Sequence, residues 1–93
     1  MTDKSQDRSG KLRMTFVWRP TADTKCVSLA GDFNDWDPMA TPMLNRNGTF
    51  RKTLQLEPGE HQYKFVVDGD WFVDPAAMQV PNDKGTMNSV ANL

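Results

Sequence analysis

His61-Gln62-Tyr63-Lys64-Phe65-Val66-Val67, followed by Asp68-Gly69 and then Asp70-Trp71-Phe72-Val73, decides the fold of this chain. His61, Tyr63, Phe65 and Val67 alternate with Gln62, Lys64 and Val66, so one row lines a core while the other faces away, as in a β-strand. Asp68-Gly69 is a turn pair: glycine takes positive φ without steric cost and aspartate tolerates it. The chain therefore reverses there, and a new strand begins near Trp71. Outward from this stretch the period stays at two. Leu12, Met14, Phe16 and Trp18 alternate with Arg13, Thr15 and Val17; Val27 and Leu29 alternate with Cys26, Ser28 and Ala30. Phe50, Leu54 and Leu56 share one parity, with Lys52 the exception, and Met87, Ser89, Ala91 and Leu93 alternate with Asn88, Val90 and Asn92. Asn47-Gly48 marks a second tight hairpin. Glycines and prolines fall between these segments, and no stretch carries a helical period of useful length. The pattern predicts an all-β chain: one immunoglobulin-like antiparallel β-sandwich of about seven strands over residues 11–93. Residues 1–10, with no large apolar side chain after Met1, read as a disordered tail.

The chain has 93 residues, so it forms one small domain with a thin core. Eleven basic residues stand against 12 acidic ones, a net charge of −1, which argues against a nucleic-acid partner. A single cysteine, Cys26, excludes an internal disulfide and a cysteine-cluster zinc site; it reads as a small apolar strand residue. Apolar runs fall far short of the roughly 20 residues that cross a bilayer, and the first residues hold no apolar leader, so no membrane partner and a cytoplasmic location are expected.

Little here suits catalysis. The chain is too short for a catalytic barrel of about 250 residues, and its serines show no nucleophile elbow. His61 is the lone histidine and shares the apolar row of its strand, which marks it as structural. Asp32, Asp35 and Asp37 form one carboxylate group and Asp68, Asp70 and Asp74 another. Paired acids could cut a glycosidic bond, but aspartates at these breaks also suit turns, where they bond their own backbone. The calcium-loop spacing fails at Trp36 and again at Phe72. No catalytic residue, metal or cofactor is expected.

The tryptophans say more. Trp18 ends an alternating strand and belongs with the core. Trp36 and Trp71 each follow a polar turn, where a core explains them poorly. An exposed indole is a flat platform, and the C–H face of a sugar ring stacks on such a plane. About 100 Å² of this contact is worth on the order of 2.5 kcal/mol. Lys64, Gln62, Thr86 and Asn88 are polar strand-region residues suited to sugar hydroxyls. The same two indoles would also serve to cap the ends of a sandwich, and spacing alone leaves both readings open.

Ser28-Leu29-Ala30-Gly31-Asp32-Phe33-Asn34-Asp35-Trp36 resembles the G-x-F-N-x-W signature of family 48 carbohydrate-binding modules. Pro58 to Trp71 is similar to the second block of that family, above all its branch of kinase glycogen-binding domains. Asp74-Pro75 and Gly85-Thr86-Met87-Asn88 are similar to its closing segment. The resemblance spans roughly residues 12–93. It implies an early-set sandwich, as at the N-terminus of isoamylase-type enzymes, that binds α-1,4-linked glucan such as glycogen or starch without cleaving it. It further implies that Trp36 and Trp71 stack on successive glucose units, and that Lys64, Thr86 and Asn88 bond hydroxyls. Lys84 stands where the kinase branch has a leucine in apolar contact with glucan, and its stem can replace part of that contact. Two alternatives are a sandwich used for protein docking, with the indoles as anchors, and an accessory domain of a family 13 glucan-processing enzyme.

Overall fold

The computed structural model describes residues 5–6 and 10–93. The strands are β1 (Ser5–Gln6), β2 (Leu12–Trp18), β3 (Val27–Gly31), β4 (Thr41–Pro42), β5 (Leu44–Arg46), β6 (Thr49–Leu56), β7 (Glu60–Val67), β8 (Asp70–Phe72), β9 (Met78–Pro81) and β10 (Met87–Asn92). One sheet has the order β1-β2-β6-β5; the other runs β4-β3-β7-β10-β9, with β8 also paired to β7. Every pairing is antiparallel. The chain is an all-β, immunoglobulin-like sandwich. Of the segment expected to be a tail, Ser5–Gln6 lies along Leu12–Arg13, and residues 1–4 and 7–9 fall outside the described residues.

Both predicted hairpins form two-residue turns. Asn47 (φ +54°) and Gly48 (φ +82°) join β5 to β6; Asp68 (φ +50°) and Gly69 (φ +89°) join β7 to β8. Two consecutive positive φ values give the turn twist that matches flanking strands. Asp68 does more than turn: its carboxylate accepts from the Cys26 N–H at 2.8 Å and the Lys25 N–H at 3.1 Å, tying the turn to the start of β3.

Between the sheets sit Met14 and Phe16 of β2, Phe50 and Leu56 of β6, Val27 and Leu29 of β3, Tyr63, Phe65 and Val67 of β7, and Ala91 of β10. Trp18 packs against this core, its ring 4.9 Å from Phe65. Met43, which the Pro38–Pro42 break hides from an alternation count, also joins the core, its N–H bonded to the Val27 carbonyl at 2.9 Å. Three expectations need correction. Cys26 is exposed, because it precedes β3 rather than packing within it. Met87 is exposed although it shares the parity of the core-facing row of β10. Asn88 and Val90 of the opposite row are buried; on that face the Asn88 side chain is bonded to the Asn82 and Gln62 side chains.

Candidate functional site

With Tyr63, Phe65 and Val67 committed to the core, β7 must turn Gln62, Lys64 and Val66 to the outer face of its sheet. Trp71 pairs with Val66 in the β7–β8 hairpin, so its indole joins that face and stays 44% exposed. Trp36 comes from the loop after β3. Gly31 enters that loop at a point of close approach: a Cβ there would lie 2.6 Å from the Phe33 ring and 2.7 Å from the Gln62 carbonyl oxygen. Asn34 then staples the loop, its Oδ1 accepting from the Gly31 N–H (3.0 Å) and its Nδ2 donating to the Leu29 carbonyl (3.0 Å) and to Thr41 Oγ1 (2.9 Å). The Trp36 N–H closes back on the Gly31 carbonyl at 2.9 Å, with Asp35 and Trp36 both at positive φ.

All six sequence-predicted site residues line one open concavity of about 800 Å³: Trp36, Lys64, Trp71, Lys84, Thr86 and Asn88. That volume falls in the usual range for small-ligand sites, about 300–1,000 Å³. Trp36 is half-buried, and among the described residues neither it nor Trp71 touches another aromatic ring, unlike Trp18.

The polar floor is already ordered. Lys64 Nζ donates to Thr86 Oγ1 at 3.0 Å. Asn82 Nδ2 donates to Thr86 Oγ1 (2.7 Å) and to Asn88 Oδ1 (2.9 Å), while its Oδ1 accepts from the Lys84 and Thr86 N–H groups, each at 3.0 Å. Asn88 Nδ2 in turn donates to Gln62 Oε1 at 3.0 Å. Thr86 Oγ1 thus accepts twice, which leaves its O–H free to donate, and Lys64 keeps further donors. Lys64, Lys84, Asp32 and Asp83 all line the same concavity, two cations and two anions. Such a balance suits a neutral polyol better than a polyanion. Asn82, Asp83 and Asp32 are the lining residues that the strand pattern did not single out. Asp32 stands in the sequence as one of a carboxylate group suited to turns, and Asn82 follows Pro81 at a polar turn, but neither position marks a groove.

Three of the six clustered aspartates hold turns or the start of a strand. Asp37 Oδ1 accepts from the Met39 N–H (2.8 Å), Asp68 holds the start of β3, and Asp74 accepts from the Ala76 N–H (2.9 Å) and the Tyr63 hydroxyl (2.7 Å). Burial, then the Asp74 carboxylate, pushes the Tyr63 hydroxyl pKa far above its ordinary value. His61 is bonded at both ring nitrogens, to Asp32 Oδ1 (3.0 Å) and the Glu57 carbonyl (2.8 Å). Among the described residues, no three His, Cys, Asp or Glu side chains gather as a metal site would require, and no helix is long and apolar enough to cross a membrane.

A β-sandwich with an open, tryptophan-lined, polar-floored groove on one sheet defines a ligand-binding module. The family described as the glycogen recognition site of AMP-activated protein kinase matches residues 12–93, and the chain belongs to it. It is 38% identical over 87 residues to 5'-AMP-activated protein kinase subunit beta-1 of Sus scrofa, a match covering 94% of this chain and 70% of that one. The beta-2 subunit of Homo sapiens is 36% identical over 93 residues, covering 95% of this chain and 34% of the subunit; this chain spans about a third of that relative's length. Two solved enzymes contain the same fold. Ferric enterobactin esterase from Salmonella typhimurium superposes with a TM-score of 0.78 at 12% identity, covering 99% of this chain and 34% of the esterase. Maltogenic amylase from S. marinus superposes at 0.76 and 21% identity, covering 90% and 14%.

Proposed function

We propose that this chain binds α-1,4-linked glucan such as glycogen, starch or maltooligosaccharide, and holds it without cleaving it. Trp36 and Trp71 act as stacking platforms, while Lys64, Thr86 and Asn88 supply hydroxyl contacts and the Lys84 stem covers the rim. The observation that supports this reading is the single concavity shared by both indoles and a pre-bonded polar floor with donors to spare. Family membership supports the same ligand class. The groove is open to water and gives little shelter to a reacting bond, which favours holding over cleavage. Two platforms and a few exposed hydrogen bonds imply a micromolar-to-millimolar dissociation constant, about 4–8 kcal/mol.

The test is titration with maltoheptaose followed by NMR, beside glycogen pull-down of Trp36→Ala and Trp71→Ala. Shifts centred on the two tryptophans and the floor residues are expected. Each variant should lose glycogen retention while keeping its fold. Normal retention by either variant would mean that the platform is misassigned, and silence at millimolar sugar would leave a protein-docking role as the better reading.

A further inference from the structure

We infer that Asp32 is an additional hydroxyl acceptor of the groove, held in place by a protonated His61 ring, so that glucan affinity depends on the charge of His61. This rests on the glucan-binding reading above. Asp32 follows Gly31 on the loop that carries Trp36 and lines the same concavity. Its carboxylate is anchored at both oxygens: Oδ1 lies 3.0 Å from His61 Nδ1, and Oδ2 accepts the Gln62 N–H at 2.8 Å. Yet 41% of the Asp32 side chain stays open to solvent, against 16% for His61. A carboxylate oxygen has a lone pair beyond the one already used, and a sugar hydroxyl would complete it with a charge-assisted bond.

His61 can donate to Asp32 and to its other partner together in only one protonation state. Its second nitrogen, Nε2, lies 2.8 Å from the Glu57 carbonyl oxygen. Both partners are acceptors, so both ring nitrogens must carry a proton. A neutral ring keeps one bond and turns a lone pair toward the other oxygen. The charged groups facing the ring are the Asp32 carboxylate from the loop after β3 and Glu57 from the β6–β7 connection. On β7 itself the Glu60 carboxylate is turned to Gln62 Nε2 at 3.4 Å, and the cross-strand neighbour on β10 is Ala91. Burial favours the neutral ring, but the Glu57 carbonyl and the Asp32 carboxylate outweigh it and raise the pKa above 6.5. As pH rises through the raised pKa, the ring loses its charge and one of its two bonds, and its hold on Asp32 weakens from a charge-assisted bond to at most a neutral one. Gln62, whose N–H Asp32 accepts and whose Oε1 accepts from Asn88, loosens with it.

The test measures maltoheptaose affinity by calorimetry from about pH 5.5 to 9, with the His61 titration located independently by NMR of its ring nitrogens. Wild-type affinity should fall about tenfold across that titration. His61→Gln offers Asp32 a donor that does not titrate, and should give a flat profile. Asp32→Asn should also be flat, and about tenfold weaker than wild type at the acid end. In the wild type, the Asp32 carboxyl carbon resonance should move on adding sugar, a readout that does not require any variant to fold. A flat wild-type profile through the His61 titration, or an Asp32 resonance unmoved at saturating sugar, overturns the inference and leaves glucan binding standing. Absence of binding at every pH overturns both.

Discussion

Trp36 sits at φ +58°, immediately after Asp35 at φ +57°. This left-handed region costs an L-residue roughly 1–2 kcal/mol, and an indole has none of the local hydrogen bonding that eases an aspartate into it. The loop holds it there through the Trp36 N–H to Gly31 carbonyl bond and the three hydrogen bonds of the Asn34 amide. The backbone that carries the indole is therefore set before any ligand arrives, which lowers the ordering cost of binding. A strained backbone predicts an inverted stability order. Alanine ordinarily outranks glycine, but at this position Trp36→Gly should be more stable than Trp36→Ala by about 1 kcal/mol, because only glycine enters the region freely. Urea unfolding of the two variants decides it. Alanine ahead, or parity, would mean that Trp36 is not held left-handed in solution.

The turn from Asn82 to Thr86 is the element that converts a sheet surface into a groove. One amide, Asn82, bonds the Thr86 and Asn88 side chains and the Lys84 and Thr86 backbone N–H groups. Those backbone groups belong to exposed residues that water can satisfy, but Asn88 is only 7% exposed and would be left with an unmatched oxygen. Asn82→Ala should therefore cost about 1–3 kcal/mol of stability, and should weaken maltoheptaose binding about tenfold through the loosened Thr86 and Lys64. Thermal melts and calorimetry measure the two effects, and an unchanged affinity would show that the floor does not need this turn. Asn82 also shows where sequence reading stops. The alternation of β2, β3, β6 and β7 was legible because one face of each strand packs into the core, and the indoles were legible because they interrupt polar turns. β4, β5 and β9 are short and mostly exposed, so solvent imposes no alternation on them. Asn82 and Asp32 act through bonds set by loop closure and by contact across the sheet, and no residue period records these. Asn88 broke the parity rule because side chains from the Asn82 turn and from β7 close over its face of the strand, a tertiary contact that alternation does not encode.

At the scale of the molecule, Tyr63 links the layers. Its ring lies 4.8 Å from Phe16 of the opposite sheet and 5.9 Å from Phe65 of its own strand. Its hydroxyl donates to Asp74 at 2.7 Å, and the Asp74 N–H donates to Ser89 on β10 at 2.6 Å. One buried phenol thus ties β7, through Asp74, to β10 behind the face that carries Lys64, Asn88 and Trp71. Burial first, then the Asp74 carboxylate, raises its pKa far above the ordinary 10.0. Below about pH 10 neither the folded nor the unfolded chain gives up this proton, and the stabilisation is complete. Above it the unfolded chain ionises while the native chain does not. The unfolded state then binds fewer protons, and stability falls as pH rises. Tyr63 is the only tyrosine, so tyrosinate absorbance reports this one group. In an alkaline titration that absorbance should appear only together with loss of the far-ultraviolet circular dichroism of the sheets. Tyrosinate forming near the ordinary value with the sheets intact would mean that the phenol reaches water in the native state and does not clamp the layers.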